Sequence, residues 1–361
     1  MTIYALPDAE KMIRRSRLFR SAPARLAGVQ ATNLAEAVQS LPKRTVLFGC
    51  SDYWARAVAA LPPTVLVDYP ASIAPLAALD LLVDKARLRE TLERIGIPHP
   101  RTRDLSSRTD LEAVPDSVLA TAFLKPAHSQ QFFARFGVKA FKFSDKADAI
   151  NRLSIALDAG LPLMLQEYIP GPPTNHYFID GFVDRDGVMR ATFVRRRLRM
   201  NPPDFGNSTL MVSIPVEEAA SAVSSLTLLL RHISYRGIFS AEFKRDERDG
   251  VFNLIEVNAR PWWYVEFAAR CGVNVCELAM KDALGERVDT VATYKTGRRC
   301  VFPYYDFEAV QSEYRAGRVS VTQWARSWLG AYQPVFRWSD PLPAAAQTVS
   351  LLRQRLRAFK A

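Results

Sequence analysis

One stretch constrains this chain more than any other: FNLIEVNARPWW, residues 252–263. Phe252, Leu254, Ile255 and Val257 read as a core strand, yet Glu256 and Asn258 interrupt the apolar run and Arg260 follows directly. An unpartnered carboxylate and amide in a core would cost several kcal/mol. Side chains at i and i+2 of a strand share a face, so Glu256 and Asn258 point the same way, along with Leu254. The preceding GIFSAEFKR and the turn DERDG (246–250) complete a hairpin. With Arg245 opposite Val251, residue 242 falls opposite 254, which sets Glu242 diagonal to Glu256 on a common face.

Two carboxylates and an amide oxygen on a rigid sheet make a hard, oxygen-only site. Mg²⁺ prefers such ligands and completes its shell with water and phosphate oxygens. Arg260, just past the strand, is placed to neutralise charge on a transferring phosphate. The alternative is a surface hairpin with solvated acids or a Lys244 pair, which accounts for Glu242 better than for Glu256. Lys125 ends a strand in FLKPAH, and Lys85 lies on the helical side of Leu88 and Leu92. Either lysine can meet phosphate as a point charge, or snorkel at a surface. Extended backbone beside Gln166, Glu167 and Ile169 in LMLQEYIPG can offer a donor and an acceptor to a base.

The 361 residues imply two or three structural units. A hydrophobic fraction of 48% and a charged fraction of 24% are those of a soluble globular protein. The net charge of +11 is unusual, and suits nucleic acid, an anionic membrane surface or small anionic substrates. No apolar run spans a bilayer. The N-terminal MTIYALPDAEKMIRRSRLFR lacks an h-region, so it is not read as a secretory signal. Its basic residues suit an amphipathic surface helix or a merely solvated one. Cys50, Cys271, Cys276 and Cys300 are too scattered for a disulfide framework, and His99, His128, His176 and His232 show no metal spacing. Free thiols point to the cytoplasm.

Along the chain, strands at 46–48 and 65–68 around a helix suggest a parallel crossover unit. No G-x-G-x-x-G is present, so dinucleotide binding is not supported. A helix over about 81–95 closes at Gly96 ahead of Pro98 and Pro100. Two strands flank a polar, aromatic loop at 127–137. A helix at 145–159, a strand at 163–169, a hairpin at 176–199 turning at 184–187 and a helix at about 216–233 follow. After the 237–258 hairpin come a helix from 264 to about 284 and a basic C-terminal helix. No internal repeat appears.

The ordered motifs D-K (84–85), G-I-P-H-P (96–100), L-K-P (124–126), Q-E-Y-I-P-G (166–171), A-E-F (241–243) and E-V-N-A-R (256–260) resemble those of the ATP-grasp superfamily. The likeness is greatest to its carboxylate–amine ligase-like members and covers roughly residues 80–285. It implies an α/β (α+β) ATP-grasp fold whose two sheet-containing lobes clasp ATP. The expected domains are a small parallel α/β domain at 1–80 and an ATP-grasp domain at 81–290. The latter has a lid lobe at about 115–170 and a metal lobe at about 171–290. Residues 291–361 form an extension packed on the core. By the same resemblance Lys85 and Lys125 contact ATP phosphates, and Gln166, Glu167, Tyr168 and Ile169 line the base. Glu242, Glu256 and Asn258 hold Mg²⁺, two ions in number, with Mn²⁺ as a substitute. Arg260 and Lys125 assist transfer.

The sequence departs from the family pattern twice. The loop AHSQQFFARFG is not glycine-rich, although His128, Ser129 and Gln130 can donate to phosphate and Gly137 can hinge it as a water-excluding lid. No acid for the ribose follows the Pro-Gly turn; Asn175 or His176 stands in.

The implied reaction activates a carboxylate as an acylphosphate with release of ADP, and an amine then displaces phosphate to give an amide or peptide bond. An arginine row, Arg195, Arg197 and Arg199, would grip the acid if it faces the cleft, or protect an exposed strand if it does not. Asn207 and Ser208 in DFGNST suit a substrate loop; Trp262 and Trp263 suit an acceptor wall or the core. The expected partners are a small-molecule carboxylate and an amine, with no specific nucleic acid; dimers are common in the superfamily. Two rival readings are a basic nucleic-acid-binding protein, for which no RRM, helix-turn-helix or KH signature appears, and an ATP-grasp sensor that does not ligate.

Overall fold

Three sheets organise the protein, whose computed structural model describes residues 3–5, 13–21, 26, 28–127, 129–202 and 205–358. A short parallel pair joins β1 (Ile3–Ala5) to β2 (Phe19–Ser21). An antiparallel three-stranded sheet holds β3 (Thr102–Leu105), β4 (Ala122–Pro126) and β5 (Leu163–Glu167) in the order β3-β5-β4. The largest sheet has six antiparallel strands. These are β6 (His176–Val183), β7 (Met189–Asn201), β8 (Asn207–Ser213), β9 (Gly237–Arg245), β10 (Phe252–Asn258) and β11 (Arg299–Val301), in the order β10-β9-β6-β7-β8-β11.

Alternation decides which face of the large sheet is dry. Ile179, Val194, Phe239, Ala241, Phe243, Leu254 and Val257 share one core with Leu226, Leu229 and Leu230 of the helix Ala220–His232. Burying each of these side chains larger than alanine stabilises by about 1.5–3 kcal/mol. Leu79, Leu88 and Leu92 join this core from the helices Leu76–Val83 and Lys85–Arg94. The small sheet has its own core, in which Leu124, Leu163 and Leu165 meet Phe132 and Leu153.

Capping sets several boundaries. The helix Lys146–Asp158 starts where Asp145 accepts from the Asp148 N–H, and the chain leaves it through Gly160 at φ 70°. The expected helix at 81–95 is two helices, because the Asp84 carboxylate caps the second one by accepting from the N–H groups of Ala86 and Arg87. The helix expected from 264 to 284 is likewise two, Val265–Cys271 and Val275–Ala283. Gly272 at φ 111° closes the first and Asn274 caps the second.

Residues 65–68 are not a strand. They end the helix Pro63–Asp68, which starts with Pro63 preset at its first turn. Nor are residues 46–48 a strand: the segment after the turn at Arg44 is held by single bonds, Leu47 N–H to Pro70 O at 2.9 Å and Arg44 N–H to Asp68 O at 2.6 Å, rather than by a ladder. Nor is 127–137 a loop. It contains the helix Ser129–Phe136, in which Phe132 and Phe136 pack on Phe141 at centroid distances of 4.8 and 5.2 Å.

At the other edge the helices Pro303–Arg315 and Val321–Trp328 are fastened to the large sheet at Asp306, and Asn201 also donates to Glu308 at 2.8 Å. Asp306, fully buried, accepts from Arg199 at 2.6 and 2.9 Å, from Thr209 at 2.7 Å and from the Trp328 indole at 2.6 Å. Among the described residues no helix is long and apolar enough to cross a membrane, and the four cysteines are free thiols.

Candidate active site

Glu242 and Glu256 are directly opposite each other on β9 and β10, not diagonal. The hairpin pairs Phe252 with Arg245 and Leu254 with Phe243, and a bulge at residue 255 shifts the register before Glu256. That extra residue reverses the alternation. Leu254 therefore turns into the core while Glu256 turns to the other face, where it is exposed. The expectation that Leu254 shares the Glu256 face is thus corrected, and no carboxylate is buried unpaired at 256. The Asn258 amide donates to Glu256 Oε1 at 3.0 Å.

The opposite carboxylate is more enclosed. Glu242 Oε1 accepts from His176 Nδ1 at 2.7 Å and from Arg197 at 3.1 Å. Burial pushes its carboxyl up, but Arg197 and His176 outweigh burial and bring it down to about 2. His176 is held below its usual range by burial, against the pull of Glu242. Arg197 stacks over Phe178 at 5.2 Å and donates to Ser208 Oγ at 2.8 Å.

Three lysines lie within electrostatic reach of Glu256, and two of them, Lys125 and Lys139, within reach of Glu242 as well. Lys125 donates to the neutral amide oxygen of Gln166 at 3.1 Å; burial lowers its pKa, and Glu256 and Glu242 oppose the shift. Lys85, first in its helix, donates to Pro126 O at 2.5 Å. Burial and then the Lys125 charge bring it down to about 8, with Glu256 pulling the other way. Lys139, which sequence reasoning missed, donates to Asn207 Oδ1 at 2.6 Å. Its pKa is also lowered by burial, and it feels both carboxylates. Cations depressed by desolvation and by one another are restored when an anion arrives.

A chain of hydrogen bonds leads away from Glu256. Arg260 donates to Asn258 Oδ1 at 3.0 Å and to Asp52 Oδ1 at 2.8 Å. Asp52 opens the helix Asp52–Ala59, so this guanidinium links that helix to the carboxylate pair.

Other expected residues have different surroundings. Arg195 is buried and faces a buried carboxylate: it donates to Asp180 at 2.6 and 3.3 Å, and Ser240 donates to the same carboxylate. Arg199 serves Asp306. Trp262 lies in the core, while Trp263 is exposed and meets Phe302 edge-on. Gln166 is buried and orients Lys125. Glu167 ties the small sheet to the β9–β10 turn through Arg248 at 2.7 Å. The N–H groups of Glu167 and Tyr168 are spent on Arg101 O and Thr121 O, and the Ile169 side chain is buried. Asn175 donates to Arg245 O at 3.0 Å and His176 serves Glu242, so each proposed ribose contact has a partner already. His128 lies outside the described residues; Ser129 starts its helix, followed by Gln130.

Beside the lysines is an aromatic cluster. Phe205 meets Phe123 at 4.7 Å and Tyr168 at 6.4 Å, while Lys244 lies 4.3 Å over the Tyr168 ring and Lys142 6.0 Å from it. An outer face of such a cluster can stack on a planar ring, and the ammonium groups beside it favour anions. A polar cavity of about 260 Å³ at the far end of the β6–β7 hairpin is separate, and its Asp184–Arg190 and Asp282–Arg185 pairs are mutually satisfied.

The donor set fits a hard divalent cation. Glu242 has a second oxygen, Glu256 is accessible, and Asn258 Oδ1 keeps a lone pair beyond its bond to Arg260. Among the described residues no three His, Cys, Asp or Glu side chains converge on one point. A cation here would therefore rely on the Asn258 amide and on oxygens from its ligand.

No family model matches the chain. Over 264 residues, 71% of the chain, it is 22% identical to a D-aspartate ligase of Enterococcus faecium, and the match spans 62% of that relative's length. An L-amino acid ligase from Bacillus licheniformis superposes with a TM-score of 0.56 at 16% identity, covering 78% of this chain and 67% of that one. The biotin carboxylase domain of a Hydrogenobacter thermophilus 2-oxoglutarate carboxylase, in complex with MgADP, ADP and bicarbonate, superposes with a TM-score of 0.57 at 16% identity, covering 80% and 70%. The fold is that of the ATP-grasp proteins.

Proposed function

We propose that this ATP-grasp chain is an ATP-dependent ligase that activates a carboxylate as an acylphosphate and joins it to an amine, releasing ADP and phosphate. The observation that carries the reading is the Glu242–Glu256 pair with Lys85, Lys125 and Lys139 within electrostatic reach of Glu256. Two carboxylates amid three desolvated ammonium groups suit a polyanion carrying its own divalent cation. The names of the D-aspartate and L-amino acid ligases support an amino acid as one substrate.

In this proposal Glu242, Glu256 and Asn258 would hold Mg²⁺, which when bound supplies charge neutralisation to the phosphates. Lys125 and Lys85 hold phosphate oxygens, Arg260 steadies charge on the transferring group, and the cluster of Phe123, Tyr168 and Phe205 takes the base. Lys139, Asn207 and Ser208 line the approach of the acid. Transfer of this kind needs positioning and charge more than a proton-transferring side chain. The helix Ser129–Phe136 is the proposed lid that shields the acylphosphate from water.

Hydroxylamine trapping tests this directly. With ATP, Mg²⁺ and a panel of amino acids, D-aspartate first, hydroxamate and ADP are expected in equal amounts. ADP without hydroxamate would make the protein a hydrolase, and nucleotide bound but never cleaved would make it a sensor.

A further inference from the structure

The surplus charge is confined to the two ends of the chain. Residues 1–30 carry six basic and two acidic side chains, and residues 291–361 carry eleven and four. Together these hold all of the net +11, because residues 31–290 have 31 of each sign. The nucleotide centre proposed above accounts for none of this excess.

The ends meet. Ser16 Oγ donates to Asp340 Oδ2 at 2.5 Å and the Arg17 N–H to Asp340 Oδ1 at 3.2 Å, and the 3-10 turn Ile13–Arg15 packs on the helix Leu342–Ala358. Around this joint Arg14, Arg15 and Arg17 are exposed, and so are large apolar side chains. Trp338 is 89% exposed and Leu342 59%. Both flank Asp340 by two residues, while Ile13 precedes the arginines.

We infer that this joint is a docking surface for an anionic membrane. Clustered arginines are attracted to acidic headgroups, and an exposed tryptophan beside aliphatic side chains gains by entering the interface. A nucleic-acid backbone would reward the arginines alone and leave Trp338 and Leu342 in water. The contact is peripheral, since no described helix spans a bilayer.

Flotation of the full-length protein with vesicles tests the inference. Binding is expected to phosphatidylcholine vesicles containing about one third phosphatidylglycerol and not to phosphatidylcholine alone, with release in about 0.5 M salt. Arg14→Ser combined with Arg15→Ser, and separately Trp338→Ser, should each weaken binding by about tenfold or more with unchanged melting temperature and nucleotide binding. Equal binding to both vesicle types, or insensitivity to all three substitutions, would overturn the inference. Displacement by duplex oligonucleotide at equal charge would assign the surface to nucleic acid instead.

Discussion

Two rows of charge lie on one face of the six-stranded sheet, one step apart along β7 and β9 and two along β6. In the first, Asp180, Arg195 and Ser240 saturate one another and are almost wholly buried. In the second, Glu242 faces His176 and Arg197 on its own sheet, but Glu256 is exposed and lysines reach over from Lys85, β4 and Lys139. The same residue types thus do opposite things. The closed row holds strands together and offers no coordination position; the open row keeps oxygens and ammonium groups available to a ligand. Arginine identity alone does not separate them, since Arg195 and Arg197 are neighbours on one strand face.

The sharpest separation should come from Glu256→Gln. Its side chain is exposed, so stability should move by less than about 0.5 kcal/mol, while turnover falls by about a thousandfold. Matched melting curves and ADP assays check this, and retained turnover would merge the two rows into one structural network. Arg195→Met should show the reverse. Leaving Asp180 buried and uncompensated costs about 3–5 kcal/mol in a denaturant titration, with activity per folded molecule within about threefold.

Lys139→Gln should raise KM for the acid substrate about tenfold, since a charge-assisted hydrogen bond is replaced by a neutral one. The smallest effect is in pH. Lys85 has its pKa lowered from 10.5 to about 8. Nucleotide affinity should therefore decline as pH rises through about 8, by a few-fold over the first unit, and Lys85→Gln should flatten the profile. Stability from this group runs oppositely: between about 8 and 10.5 the unfolded chain binds the extra proton, so folding gains as pH rises. Titration calorimetry and melting curves read the two signs separately.

Much of this was legible in the residue order. The hairpins and the Gly96 and Gly160 stops follow from period and turn chemistry, whereas the facing of Glu242 and Glu256 rests on the bulge at 255. The bulge at 255 was not, because Leu254, Glu256 and Asn258 look like one face until a core on the opposite side claims Leu254. Two errors had local signals. Phe132 and Phe136 stand at helical spacing inside the segment read as a loop, and Pro62-Pro63 starts a helix in the segment read as a strand. Lys139 had none, for it is brought to the carboxylates only by the meeting of two sheets. Arg195 was legible as cationic but not as spent, since its partner Asp180 is fifteen positions away on another strand.

The Asp52–Arg260 contact carries a lesson for anyone seeking a minimal catalyst from this chain. Trimming away the leading segment would spare every proposed cation ligand, yet it would release the guanidinium that steadies Asn258 and, through it, Glu256. A shortened version would keep its chemistry on paper and lose the tension that holds it in tune.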